Sequence, residues 1–309
     1  MEEARKATVR VPATTANLGP GFDCIGMALD IWSELTVERA PFSVTVEGEG
    51  SDAASMPLDE RNLVVTGVKA AFEAAGKPTP ELSYACRNEI PYSRGFGSSS
   101  AAIVAGLLAG NAICGCQLEL EDLIKIAADI DGHPDNVAPA LMGGLCIGIH
   151  TESDSGSKWV TDQVALPDDL KAVLFVPDVE GPTSEARALL ANEVSRADAI
   201  FNIGRAAMLV NAFSTGRLEL LRHATEDMLH QPARRAVYPA MKRLIESALI
   251  GGAHGAFLSG AGPSVVAFTS GREMTVIYEM AEAARLHNLP GKTMVVSPAA
   301  TGAYLVESE

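Results

Sequence analysis

The chain concentrates chemistry-bearing residues at Pro91-Tyr92-Ser93-Arg94-Gly95-Phe96-Gly97-Ser98-Ser99-Ser100-Ala101, ahead of an apolar run to Cys114. Gly95 and Gly97 allow backbone angles closed to other residues and leave room for a ligand beside the main chain. Serine is a good N-cap, so the spacing predicts a helix over 101–114 that opens directly from the loop. A helix N-terminus offers unpaired N–H groups and a partial positive charge, which suits a polyphosphate. The hydroxyls of Ser98, Ser99 and Ser100 add ligands for phosphate or a metal ion. The plain alternative is a Gly/Ser loop that merely caps a buried helix. It is not a Walker A loop: Gly-Lys-Thr occurs only at 291–293, with Leu286 where that motif needs glycine. Nor is it a dinucleotide fingerprint, since Ser100 stands in place of a third glycine.

Three further groups carry polar chemistry. The stretch Ala13-Thr14-Thr15-Ala16-Asn17-Leu18-Gly19-Pro20-Gly21-Phe22-Asp23 is a turn-rich segment holding Asn17 and Asp23, which on local grounds could simply bond their own backbone. Asp129-Ile130-Asp131-Gly132-His133-Pro134-Asp135-Asn136 places two acids at a helix end, followed by His-Pro-Asp-Asn; a solvated terminus and a turn would have the same composition. Arg187, after Thr183, and Arg234, within His230-Gln231-Pro232-Ala233-Arg234, are isolated arginines of the type that can fork a carboxylate.

The elements that must position these groups follow from periodicity. Residues 7–12 alternate as a strand, and 32–38 with 42–46 read as an antiparallel pair. Helices are expected over 62–75, 118–130, 195–213 and 272–286, with shorter ones from 183, over 218–223 and over 226–229. Strands are expected at 82–88, at 145–149 and 159–164 around the polar loop 151–156, at 172–176, on both sides of Gly260-Ala261-Gly262, and at 293–296. The length of 309 residues favours two domains, which we place at 1–167 and 168–309, divided near Leu166-Pro167-Asp168-Asp169.

Composition narrows the partners. A formal charge of −15 argues against nucleic acid or an anionic membrane, both of which need basic patches. The five cysteines form no CxxC pair or zinc spacing and are expected as reduced thiols. The start, Met1-Glu2-Glu3-Ala4-Arg5-Lys6, has no apolar signal core, so a cytoplasmic location is expected, or a plastid stroma if a transit peptide has been removed.

The loop at 91–101 resembles the central motif of the GHMP kinases, Pro-x-x-x-Gly-Leu-Gly-Ser-Ser-Ala, with Phe96 for leucine and Ser100 before the alanines. Residues 12–23 and 132–139 are similar to segments specific to the homoserine kinases, while the Gly-Glu-His motif of galactokinases and mevalonate kinases is absent. Residues 255–266 resemble the third GHMP motif. The resemblance spans essentially the whole chain and implies an α+β architecture: an N-terminal mixed-sheet domain, a C-terminal ferredoxin-like domain and a site in the cleft between them. It implies ATP held by Pro91 to Ala101, and Mg²⁺ at Ser98 and the acid at the helix end. By position that acid is Asp129, although its short side chain leaves Asp131 as the alternative. It further implies L-homoserine bound by Asn17, Asp23, His133, Asp135, Asn136, Thr183, Arg187, Arg234 and Gly260. The proton acceptor is left open among Asp23, Asp135 and the γ-phosphate. A homodimer is expected. The rival readings are another small-molecule kinase of this family and a non-catalytic nucleotide-binding regulator.

Overall fold

A computed structural model describes residues 3–48, 56–153 and 156–309. Asp154 and Ser155 of the expected polar loop, and Met1 and Glu2, lie outside the described residues. In chain order the elements are β1 (Lys6–Asn17), β2 (Gly21–Glu38), β3 (Ser43–Glu47), α1 (Leu63–Ala74), β4 (Ser83–Arg87), α2 (Ser98–Ile113), α3 (Leu120–Asp131), α4 (Pro134–Met142), β5 (Leu145–Ser153) and β6 (Gly156–Val164). There follow β7 (Lys171–Pro177), α5 (Thr183–Ala188), α6 (Arg196–Thr215), α7 (Leu221–Ala224), α8 (Gln231–Arg234), α9 (Met241–Ile250), β8 (Gly255–Leu258), β9 (Val265–Thr269), α10 (Glu273–Leu286), β10 (Gly291–Val296) and β11 (Tyr304–Ser308).

The first sheet grows from a long hairpin. β1 alternates Ala7, Val9, Val11 and Ala13 into the core and pairs antiparallel with β2. The expected turn at 13–23 is therefore mostly strand, and only residues 18–20 turn. At 18 residues β2 serves two further neighbours on its other edge, meeting β5 through Ile25–Met27 and β4 through Glu34–Glu38. β3 does not pair with β2 as expected. It lies parallel to β4, which inserts between them and makes the sheet mixed. β11 returns from the far end of the chain and adds to the edge at β1.

The second sheet has the order β10-β7-β9-β8, all antiparallel, which is the fourth-first-third-second order of a ferredoxin-like βαββαβ unit. β7, β8 and β9 read as apolar runs because both their faces are buried, whereas the edge strand β10 is partly exposed. Val173, Phe175, Val265, Ala267, Ala256 and Leu258 face α9 and α10, which contribute Met241, Leu244, Val276 and Met280. The alternate residues Ala172, Leu174, Val176, Val266, Phe268 and Phe257 join Leu209, Ala212 and Phe213 of α6 in a core continuous with that of the first sheet. The two sheets are thereby fixed to one another through shared side chains. Residues 226–229 are not helical, and α9 and β11 arise where periodicity had marked nothing.

Candidate active site

The helix expected from Ala101 begins three residues earlier, at Ser98. Its N-cap is not a serine but Gly97, left-handed at φ 64°, and no side chain caps the terminus. The first-turn N–H groups and the Ser98 hydroxyl are thus left for a ligand. A Cβ at Gly97 would overlap Thr14 Oγ1, so glycine is required by both its angle and its neighbour. The loop is held from three sides. Thr14 N donates to Phe96 O at 3.1 Å, and Ser259 Oγ donates to Gly95 O at 2.6 Å. Arg94 turns its buried guanidinium away from the loop's open side, onto the carbonyls of Pro177 and Asp178 at 2.8 Å each.

Two cavities flank this helix terminus. One, of about 490 Å³, is lined largely by apolar groups including Val11, Leu35, Val46, Leu63, Ile90 and Tyr92. The other, of about 460 Å³, is polar and is lined by all nine residues expected to bind substrate, from Asn17 and Asp23 to Arg234 and Gly260. Ser93, Ser98, Ser99 and Thr183 line both cavities, so the loop is the wall between them. Of the expected nucleotide residues, Gly95, Phe96, Gly97 and Ser100 border the polar side and Ala101 the apolar side, while Pro91 and Arg94 border neither.

Asp129 is absent from both linings. Its carboxylate accepts from Lys125 Nζ at 2.6 Å and Trp159 Nε1 at 3.0 Å on the outer surface. Residues two apart on a helix point about 200° apart, so only one of Asp129 and Asp131 can face the cavity. That one is Asp131, which accepts from Ser100 Oγ at 2.7 Å and Ser99 Oγ at 3.2 Å. Burial raises its pKa, opposed by His133 and by the Ser100 hydrogen bond.

Every other acid of the cavity is engaged by a cation or a fixed donor. Asp135 takes His133 Nδ1 at 2.5 Å and Asn136 Nδ2 at 3.2 Å, while Thr14 Oγ1 donates to Asn136 Oδ1 at 2.7 Å. Burial opposes charge on His133, but the Asp135 hydrogen bond and the charges of Asp135, Asp131 and Asp23 outweigh it and push the ring up to about 9. Asp23 forks Arg187 with both bonds at 2.9 Å. The polar atoms of Asp23, His133 and Asp135 lie within 4.8 Å of one another, one compact charged cluster.

Arg234 differs from the other cations. It is 2% exposed and has no carboxylate partner among the described residues. Its Nη1 donates to His230 Nδ1 at 2.8 Å and Gly260 O at 2.9 Å, and Nε to Ala186 O at 3.5 Å. Nη2 has no hydrogen-bond partner among the described residues, and the side chain borders the polar cavity. Burial, and then the charge of Arg187, lower its pKa to about 10. His230, itself fully buried and kept neutral by burial, donates Nε2–H to Gly19 O at 2.8 Å. Behind it the buried Asp227 accepts from Asn202 Nδ2 and from the N–H groups of Leu229, His230 and Gln231 at 2.7–3.0 Å. Sequence reasoning missed Asp227 and Asn202. Their only signal was an acid three residues ahead of His230.

The His133 pair predicts a pH dependence. A histidine held above its unfolded value contributes stability that is complete below about pH 6.5 and is lost as pH rises through about 9. The unfolding free energy of the protein relative to its His133→Asn variant should therefore shrink between pH 6.5 and 9.5, by up to about 3 kcal/mol. Denaturant titrations across that range would show it; a constant difference would mean the ring is not charged.

Comparison with known proteins places this geometry. Residues 62–144 match the GHMP kinases N terminal domain, and residues 209–286 match the GHMP kinases C terminal domain. The chain is 40% identical to the homoserine kinase of Desulfitobacterium hafniense over 96% of its own length and 99% of the relative's. It is 38% identical to that of Moorella thermoacetica, over the same shares of each chain. The crystal structure of homoserine kinase from Cytophaga hutchinsonii superposes with a TM-score of 0.85 at 26% identity, covering 99% of both chains. L. major mevalonate kinase shares the fold, with a TM-score of 0.67 at 16% identity over 97% of this chain and 98% of that one. With both domains matched in order and relatives aligned from end to end, the chain belongs to the GHMP kinase family, on its homoserine kinase branch.

Proposed function

We propose that the protein is an ATP-dependent homoserine kinase, transferring the γ-phosphoryl group to the side-chain hydroxyl of L-homoserine to give O-phospho-L-homoserine. One observation carries the substrate class beyond the family likeness. A buried guanidinium with an unbonded edge borders the same cavity as an acidic cluster, beside a helix N-terminus open to phosphate. An amino-acid zwitterion answers both charges, whereas galactose answers neither and mevalonate only one.

The nucleoside occupies the apolar cavity, and the triphosphate crosses the wall at Ser93, Ser98 and Ser99. There the first-turn N–H groups of α2 meet the phosphate oxygens without reorganising. Homoserine lies in the polar cavity with its carboxylate at Arg234 and Arg187 and its ammonium at Asp23 and Asn17. His133, Asp135 and Asn136 border the hydroxyl. Phosphoryl transfer asks for positioning and charge stabilisation above all. Asp23 and Asp135 are each held in an ion pair, so neither offers a free base, and the hydroxyl proton passes to an oxygen of the transferred phosphate.

A carboxylate facing two hydroxyls is the oxygen donor set that Mg²⁺ takes beside substrate phosphates. Asp131 with Ser99 and Ser100 fits that ion, with Ser98 on the same helix terminus, and Asp129 does not. When bound it neutralises phosphate charge. Threonine biosynthesis, a cytoplasmic setting, a homodimer and a functional division at residues 167/168 complete the reading. No helix among the described residues is long and apolar enough to cross a membrane.

Two measurements test this. Incubation with Mg-ATP and, separately, homoserine, mevalonate, galactose and threonine should yield phosphorylated product with homoserine alone. Product from mevalonate would favour another kinase of the family, and no product at all a nucleotide-binding regulator. Asp131→Asn should lower kcat and raise the magnesium requirement at least tenfold, about the cost of one charged ligand, while Asp129→Asn should change both less than twofold. The reverse ranking would return the metal to Asp129.

A further inference from the structure

The two side chains assigned to opposite ends of the substrate are, in this structure, bonded to each other. Arg187 Nη1 meets Asp23 Oδ2 and Nη2 meets Oδ1, both at 2.9 Å, a full fork inside the lining of the polar cavity. Asp23 is the fixed partner. Its backbone is left-handed at φ 56°, and its N–H donates to Asn17 Oδ1 at 3.0 Å, while Asn17 Nδ2 is tied to Gly260 O at 3.0 Å. Arg187 is the movable partner. It rides on the six-residue helix α5, where only Ala186 is buried, and its side chain is 41% exposed. Its guanidinium lies 5.6 Å from the Phe22 ring centre, and that of Arg234 lies 5.8 Å from the same ring. The two cations thus share one aromatic ring, with the unbonded edge of Arg234 close by.

We propose that the Asp23–Arg187 pair is an exchange gate that makes the site select doubly charged ligands. It rests on the kinase reading and adds a cause of specificity to it. A zwitterion splits the fork: its carboxylate takes Arg187 alongside Arg234, and its ammonium takes Asp23. Each member leaves one partner for another, and no charge is stranded. A ligand with a carboxylate alone can take Arg187 only by leaving Asp23 unpaired, and a ligand with an ammonium alone strands Arg187. The pair therefore competes with singly charged analogues and is neutral toward the zwitterion.

Competition has a signature that a simple contact lacks, which is a gain of affinity on mutation. Calorimetric titration of the full chain with a non-hydrolysable ATP analogue present would use three ligands: homoserine, homoserinol (no carboxylate) and 4-hydroxybutyrate (no ammonium). Arg187→Gln should weaken homoserine by about one to two decades, the loss of a charge-assisted fork. The same change should tighten homoserinol by about threefold to tenfold, the worth of a half-exposed ion pair that no longer has to be broken. Asp23→Asn should likewise tighten 4-hydroxybutyrate, and Arg187→Lys, which keeps charge without the fork, should fall between. Unchanged affinity for the ATP analogue certifies each variant as folded. Unchanged or weakened binding of the singly charged ligand in either variant overturns the gate. Failure of the unmutated protein to bind homoserine would instead overturn the kinase reading, so the two failures are distinct.

Discussion

A positive charge buried without a carboxylate beside it is the constraint on which this site turns. Isolating a guanidinium from water is unfavourable, and the chain offsets it only in part, with the neutral His230 ring and the carbonyls of Gly260 and Ala186. Those partners come from three distant stretches, and His230 reaches a fourth through Gly19. Asp227 fixes the backbone that carries His230 and supplies a negative charge one layer behind. The arrangement is incomplete in one direction, toward the cavity, where Nη2 has no partner among the described residues. In the proposed reading a ligand carboxylate completes it, so that part of the burial cost of Arg234 is returned on binding, when the substrate is present.

The phosphate loop obeys the opposite logic, with main-chain groups presented to the ligand and side chains used as struts. Arg94, the only arginine in the loop, anchors it to the end of β7. A Cβ at Gly95 would overlap Ser259 O, and Thr15 Oγ1 and Ser259 Oγ lie 2.8 Å apart in the chain of hydroxyls behind it. The ferredoxin-like half thus holds the loop that belongs to the first half. Both cavities depend on the two sheets keeping one relative position, and the shared core of Leu174, Val266, Phe268 and Phe213 supplies that rigidity.

The parts legible in the sequence were those whose physics is local. Gly/Ser composition before an apolar run marked the α2 terminus, and unbroken apolar runs marked β7 and β9, although not which face each residue covers. Polar residues clustered in motifs arrived in one cavity because the motifs lie at the ends of strands or on short helices that border it. What could not be read depends on distant pairing. Nothing near residues 43–47 shows that β4 will insert beside β2, nor does 304–308 announce its return to β1. Asp129 and Asp131 are equivalent until the rotation of α3 is known, and that is set by Leu123, Ile124, Ala127 and Ala128 packing inward. Asp227 and Asn202, each inside an expected helix, carry no local mark of burial, because only tertiary contact buries them.

The central claim is that Arg234 receives the substrate's carboxylate, and a ligand lacking that group tests it most directly. Calorimetry on Arg234→Ala with homoserine, homoserinol and an ATP analogue should show homoserine weakened by about one to two decades, the worth of one charge-assisted hydrogen-bonding group. Affinities for homoserinol and for the ATP analogue should stay within twofold of the unmutated protein. Equal losses for homoserine and homoserinol would contradict the account, and would mean that Arg234 serves the fold or the phosphates in place of the carboxylate.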